Sequence, residues 1–101
     1  MLKGIAARTA VVTGAAGGIG SATVRRLHAE GANVVAVDLD KGPIDALAAE
    51  LGERIIAVQA NVSSPDDTEM FMRRAVDTFE TVDMFHANAG VESKVIPVAA
   101  F

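Results

Sequence analysis

The chain has 101 residues, half of them apolar, a formal net charge of −4 and no cysteine. That length supports one domain. The acidic balance disfavours nucleic acid or an anionic membrane surface as the main partner, and the missing thiols exclude a disulfide framework, a thiolate metal site and a cysteine nucleophile. Lys3 and Arg8 flank no apolar core long enough for an export signal, and charges interrupt every apolar run well short of the ~20 residues a membrane span needs. A cytoplasmic protein is expected.

The order of elements reads strand, helix, strand, helix, strand, helix, strand. Thr9-Ala10-Val11-Val12-Thr13 is a short apolar run suited to a buried parallel strand. The glycine-rich stretch Thr13-Gly14-Ala15-Ala16-Gly17-Gly18-Ile19-Gly20 follows, and residues 18–30 form a helix with Ile19, Ala22, Val24 and Leu27 available for its inner face. Gly31 stands where a helix ends. Residues 33–37 are a second buried strand closed by Asp38, and Pro43 opens a helix to Leu51 with Gly52 as its stop. Residues 55–59 are a third strand.

Ser64-Pro65-Asp66-Asp67 is a strong helix start: a hydroxyl cap, proline at the first helical position, and two acids at the positive end of the dipole. That helix runs to about Phe79, and its Met70-Phe71-Met72 cluster reads as core. Residues 82–87 form a fourth strand ending in Asn88-Ala89-Gly90, and Glu80 and Asp83 read as marking a solvated loop. Residues 95–101 read as an apolar tail that would sit awkwardly on a finished surface. His28 reads as a packing residue on the first helix and His86 as a sheet histidine.

Strands alternating with helices imply right-handed crossovers and a parallel sheet with helices on both faces. The fold class is therefore α/β, of Rossmann type, with four strands and three helices. In such sheets ligands bind at the carboxyl ends of the strands, where the strand order reverses. Residues 13–20, Asp38, Asn61 and Asn88 all fall at those ends.

A strand feeding a glycine-rich turn and then a helix lets backbone N–H groups cradle a phosphate. Asp38 lies eighteen positions beyond Gly20, where a carboxylate can accept hydrogen bonds from adenosine ribose hydroxyls and would repel a 2′-phosphate. Gly17 and Leu39, the neighbouring places for a basic residue to hold that phosphate, carry no charge, so NAD is favoured over NADP. Asn61 and Asn88 offer amides able either to bind a ligand or to tie one loop to another. No pair of acids has a spacing that singles out a general acid–base couple.

With those residues in view, the chain resembles the short-chain dehydrogenase/reductase family over essentially its whole length. Residues 13–20 match the Thr-Gly-x-x-x-Gly-x-Gly fingerprint, and Asp38, Asn61-Val62 and Asn88-Ala89-Gly90 follow in family order. The resemblance implies that Gly14, Gly18, Ile19 and Gly20 line the pyrophosphate of NAD. It also implies that Asp38 takes the adenosine ribose, that Asn61 and Val62 flank the adenine, and that Asn88, Ala89 and Gly90 lie near the nicotinamide-side ribose.

Two positions depart from the family pattern: Asn61 stands where Asp is usual, and Ala87 replaces the first Asn of Asn-Asn-Ala-Gly. The family's catalytic Ser and Tyr-x-x-x-Lys lie downstream of that motif, and this chain contains no tyrosine. It therefore looks like the cofactor-binding first half of a dehydrogenase that acts on a small alcohol or carbonyl substrate. By the same resemblance it is expected to form a homo-oligomer when full length and to be inactive by itself. No catalytic or metal-binding residue is assigned. The alternative of another class is a stand-alone, non-catalytic nucleotide-binding or scaffold module. A phosphate-hydrolysing P-loop is disfavoured because the glycine stretch lacks Gly-Lys-Ser/Thr. A methyltransferase with a similar loop is disfavoured by Asn88-Ala89-Gly90.

Overall fold

A computed structural model describes residues 7–87 and 94–97. In chain order the elements are β1 (Thr9–Thr13), α1 (Gly18–Ala29), β2 (Asn33–Asp38), α2 (Lys41–Leu51), β3 (Ile55–Gln59), α3 (Pro65–Phe79), β4 (Met84–Ala87) and β5 (Lys94–Pro97). The sheet order is β3-β2-β1-β4-β5. β1 pairs in parallel with β2 and β4, and β2 with β3. The order thus reverses at β1, with β2 and β3 on one side and β4 on the other.

The first three strands carry unbroken apolar runs because both faces of the sheet are covered. Alternate side chains go to opposite faces. Val12, Val34, Ala36 and Ile55 pack with Val24 of α1 and with Ile44 and Leu47 of α2. Val11, Val35, Val37 and Val58 pack with Phe71 and Ala75 of α3. Every residue of β1, the central strand, is buried. The expected four parallel strands and three helices are present. β5, which pairs antiparallel with β4, is an addition: periodicity alone places Val95 and Ile96 in an apolar tail.

Several sequence expectations need correction. α2 starts at Lys41 rather than Pro43, with Asp40 as its extended N-cap residue. Pro43 then occupies the third helical position, where the missing N–H would have had no helical partner anyway. β4 starts at Met84, two residues later than expected, although Val82 before it is buried. The Met70-Phe71-Met72 cluster is split by helical geometry, since consecutive residues lie about 100° apart. Phe71 is fully buried, Met72 packs at the edge of the core, and Met70 and Val76 are exposed. On α1, Ile19 and Ala22 are exposed, and the buried positions are Gly20 and Val24.

Asp83 is the clearest departure from a solvated loop. Its carboxylate accepts hydrogen bonds from the Thr9 amide at 2.9 Å and the Thr81 hydroxyl at 3.1 Å, and pairs with Arg8 at 3.6 Å. Its own amide donates to the Thr9 carbonyl at 2.9 Å. One residue thereby clamps the start of β1 to the start of β4.

The ends of α1 are set by two glycines with different tasks. At the C-terminus Gly31 adopts φ 95°. The Gly31 amide donates to the His28 carbonyl and the Ala32 amide to the Leu27 carbonyl, both at 3.0 Å, the paired bonds of a Schellman motif. Arg54 adds a bond from its guanidinium to the Ala32 carbonyl at 2.7 Å, and His28 Nε2 donates to the Glu53 carbonyl at 2.7 Å. Arg25 and Glu50 form an exposed two-bond pair between α1 and α2; the guanidinium holds the Glu50 carboxyl below its ordinary range. At the N-terminus Gly20 is buried, and a Cβ there would stand 2.1 Å from the Gly14 carbonyl oxygen and 2.8 Å from its carbon.

Gly20→Ala is therefore expected to lower stability in urea denaturation by about 2–3 kcal/mol, the upper range for overpacking against unyielding backbone. Gly18→Ala, where no atom lies within 4 Å of the added methyl, should change it by less than ~0.5 kcal/mol or raise it slightly. Matching midpoints for the two variants would contradict the close packing of α1 at Gly20.

Candidate functional site

Gly14, directly after β1, takes φ 67°, a left-handed conformation open to glycine at little cost. That turn aims the next amides sideways rather than onward along the strand. Ala15 N–H donates to the Val37 carbonyl at 3.1 Å, Ala16 N–H to Asp38 Oδ2 at 3.0 Å, and Gly17 N–H to the Gly14 carbonyl at 3.1 Å. The loop is thus docked onto the end of β2 before α1 begins.

α1 opens at Gly17 with no side-chain cap and no acidic residue in its first turn. The first amides of a helix lack helical acceptors and carry partial positive charge. Here they follow the carboxyl end of β1, the strand at which the order reverses. α3 shows the opposite treatment of the same physics. Ser64 Oγ accepts from the Asp67 amide at 3.2 Å, and Asp66 and Asp67 fill the first turn. An anion is repelled from that end. α2 also begins without a cap bond, but the acidic Asp40 stands at its N-cap.

Asp38, the last residue of β2, is half-buried. Its Oδ2 holds Ala16, and its Oδ1 accepts from the Asp40 amide at 2.9 Å. The Asp38 carbonyl accepts from the Ala60 amide at 3.0 Å, and Gln59 Nε2 donates to the Leu39 carbonyl at 3.0 Å. These bonds bring the segment after β3 alongside Leu39. Three apolar side chains are left exposed at this end of the molecule: Ile19 at 66%, Leu39 at 64% and Val62 at 38%. Exposed aliphatics around polar backbone suit the flat faces of a ligand ring better than open water.

Asn61 is built into a turn. Its Oδ1 accepts from the Ser63 amide at 2.9 Å and the Ser63 hydroxyl at 2.6 Å, and its own amide donates to Asp67 Oδ2 at 2.8 Å. The Ser63 N–H requires oxygen, not nitrogen, to face it, so the side-chain NH2 is the part of Asn61 left to meet a ligand. Sequence reasoning does not single out Ser63 and Asp67 as site residues. The Asn-x-Ser spacing of a side-chain turn is the available signal. Ala16 escapes sequence reasoning for a different reason: it contributes through its backbone.

The expected residues Gly14, Gly17, Gly18, Ile19, Gly20, Asp38, Leu39, Asn61 and Val62 all lie at the carboxyl ends of β1, β2 and β3 or in the segments that follow them, Gly18 to Gly20 in the first turn of α1. Gly18 borders open space, whereas Gly20 is taken up by helix packing. Asn88, Ala89 and Gly90 lie outside the described residues. Two shallow depressions sit elsewhere, on the outer face of α3 around Arg73 and Asp77. Among the described residues no His, Asp and Glu cluster could hold a metal ion, and no helix is long and apolar enough to cross a membrane.

The family profile described as short chain dehydrogenase matches residues 8–100. The chain is 40% identical over 98 residues to 3beta-hydroxysteroid dehydrogenase 2 of Eggerthella lenta, covering 94% of this chain and 38% of that protein. It is 40% identical over 100 residues to cis-4-hydroxycyclohexanecarboxylate dehydrogenase of Sinomonas cyclohexanicum, covering 97% and 40%. A solved structure of 3-ketoacyl-(acyl-carrier-protein) reductase from Brucella melitensis, complexed with NADH, superposes with TM-score 0.78 at 33% identity, over 80% of this chain and 33% of that one. A second Brucella melitensis structure, a glucose/ribitol-type short-chain dehydrogenase/reductase, gives TM-score 0.76 at 45% identity, over 79% and 35%. The chain spans well under half the length of these relatives. With the profile covering nearly all of it, the chain belongs to the short-chain dehydrogenase family of oxidoreductases.

Proposed function

We propose that these residues are the NAD(H)-binding, N-terminal part of a single Rossmann-type domain. The parent enzyme moves hydride between NAD and a small alcohol or carbonyl substrate and assembles from copies of itself. The observation that carries this reading is the conjunction at one sheet end of an uncapped helix N-terminus, open space at Gly18 and a carboxylate at Asp38.

The residues fit such a cofactor. The first amides of α1 meet the pyrophosphate, and the absent Cβ at Gly18 permits close approach of backbone to phosphate oxygens. Asp38 retains lone pairs beyond the two in use, so it can accept from the ribose hydroxyls. Leu39 and Val62 flank the adenine, with Asn61 beside it. Asn88, Ala89 and Gly90 take the nicotinamide-side ribose by their family position. The bound dinucleotide supplies the hydride-carrying nicotinamide. This chain's own contribution is to bind and orient it, since the family's Tyr-x-x-x-Lys pair is not among residues without a tyrosine. The relative solved with NADH supports the cofactor class. Asp38, with uncharged Gly17 and Leu39 around it, supports NAD over NADP.

Two measurements test the reading. In calorimetric titration the chain should bind NAD at least tenfold more tightly than NADP. Asp38→Ala should lose about tenfold or more of the NAD affinity, as expected for removing hydrogen bonds to a charged group worth ~1.5–3 kcal/mol. Equal affinity of the unaltered chain for both dinucleotides would remove the role of Asp38. Gly18→Val should leave the unfolding free energy measured in urea within ~0.5 kcal/mol of the parent while abolishing dinucleotide binding. Undiminished binding by that variant would exclude close approach at Gly18.

A further inference from the structure

We propose that Asp38 has a second task, as the positioning residue of the phosphate loop: its carboxylate latches the glycine loop to β2 before any cofactor arrives. The ligand part of this proposal rests on the dinucleotide reading above, while the latch itself does not.

The two oxygens of Asp38 do different things. Oδ1 accepts from the Asp40 amide at 2.9 Å, a local bond two residues along that fixes the side-chain rotamer. Oδ2 reaches across to the Ala16 amide at 3.0 Å, 22 positions back in the chain. The preceding amide, Ala15, is bonded to the Val37 carbonyl at 3.1 Å. Two consecutive loop amides are therefore directed at two consecutive residues of β2, one through backbone and one through a side chain. This arrangement sets where the turn from Gly14 to Gly17 stands, and so where the first amides of α1 point. Bonds from N–H to a carboxylate are about twice as strong as neutral ones. An amide left facing a vacated acceptor in a partly buried site is costly.

It follows that Asp38 governs pyrophosphate binding as well as ribose recognition. Substitutions intended only to change the preference between NAD and NADP would loosen the loop too. Asparagine is an incomplete replacement. Its single carbonyl oxygen can keep one of the two amides, and its NH2 would face the other donor.

The test separates the two tasks with 2′,3′-dideoxyadenosine 5′-diphosphate, a probe that has the phosphates but neither ribose hydroxyl. If Asp38 only accepts from the ribose, Asp38→Ala leaves the affinity for this probe unchanged. The latch predicts a loss of about tenfold for Asp38→Ala and a smaller loss for Asp38→Asn, with ADP itself weakened further in both. Hydrogen exchange of the ligand-free chain is the second readout. The Ala16 amide should exchange at least about tenfold faster in Asp38→Ala, while amides in the centre of β1 keep their protection.

Equal affinity of the parent chain and Asp38→Ala for the dideoxy probe overturns the proposal. If the parent chain binds neither ADP nor NAD, the dinucleotide reading fails, and exchange at Ala16 alone decides the latch: unchanged exchange overturns it. Loss of β1 protection in Asp38→Ala would indicate general unfolding; the comparison then passes to Asp38→Asn, where undiminished affinity for the dideoxy probe overturns the proposal.

Discussion

The position of α1 over the sheet depends on one close approach, that of Gly20 to the carbonyl of Gly14. A methyl group at Gly20 would lie 2.1 Å from that oxygen, so the helix can sit this low over the end of β1 only where the side chain is hydrogen. Lowering the helix has a consequence for its first turn. Gly17, Gly18 and Ile19, at this turn, are exposed. Gly14 must then reverse direction within a residue or two, which its φ of 67° accomplishes. Gly14 and Gly20 are thus parts of one geometric solution, and Gly18 beside them borders open space.

The same molecule contains a control for what an uncapped helix start means. α3 closes its N-terminus with Ser64, Pro65, Asp66 and Asp67, and links the Asp67 carboxylate back to the Asn61 amide at 2.8 Å. Caps of this kind contribute ~1 kcal/mol to helix stability. α1 has no such bond at Gly17, at a cost of only about a few tenths of a kcal/mol for glycine at that position, and its loop is held by bonds to Val37 and Asp38.

Much of the fold was legible because the central strands are covered on both faces. Short unbroken runs of Val and Ala, alternating with amphipathic helical stretches, are the mark of strands buried on both sides. Gly31, Gly52 and Ser64-Pro65 punctuate them. At the candidate site, residue type made legible the open backbone position at Gly18 and the strand-end carboxylate of Asp38. The structure was not legible where the same residue type serves different ends. Asp83 reads like any loop acid, yet it binds the Thr9 amide and joins two strands 74 residues apart. Ile19 reads as helix core by spacing, but it is 66% exposed. The Met70-Phe71-Met72 cluster counts as apolar in any window, although helix geometry lets α3 bury Phe71 fully and not its neighbours. β5 has no turn signal that separates it from a simple apolar tail.

The proposed adenosine side of the site draws on β1, β2, β3 and the start of α1, which are joined by backbone bonds. Ala15 binds the Val37 carbonyl, Ala60 the Asp38 carbonyl, and Asp38 accepts from both Ala16 and Asp40. Such a network is rigid because its members hold one another through short connections, and a rigid half-site reduces the ordering cost of binding. The strand order reverses at β1, so this bonded network lies on the β2 and β3 side of the reversal, with β4 on the other side.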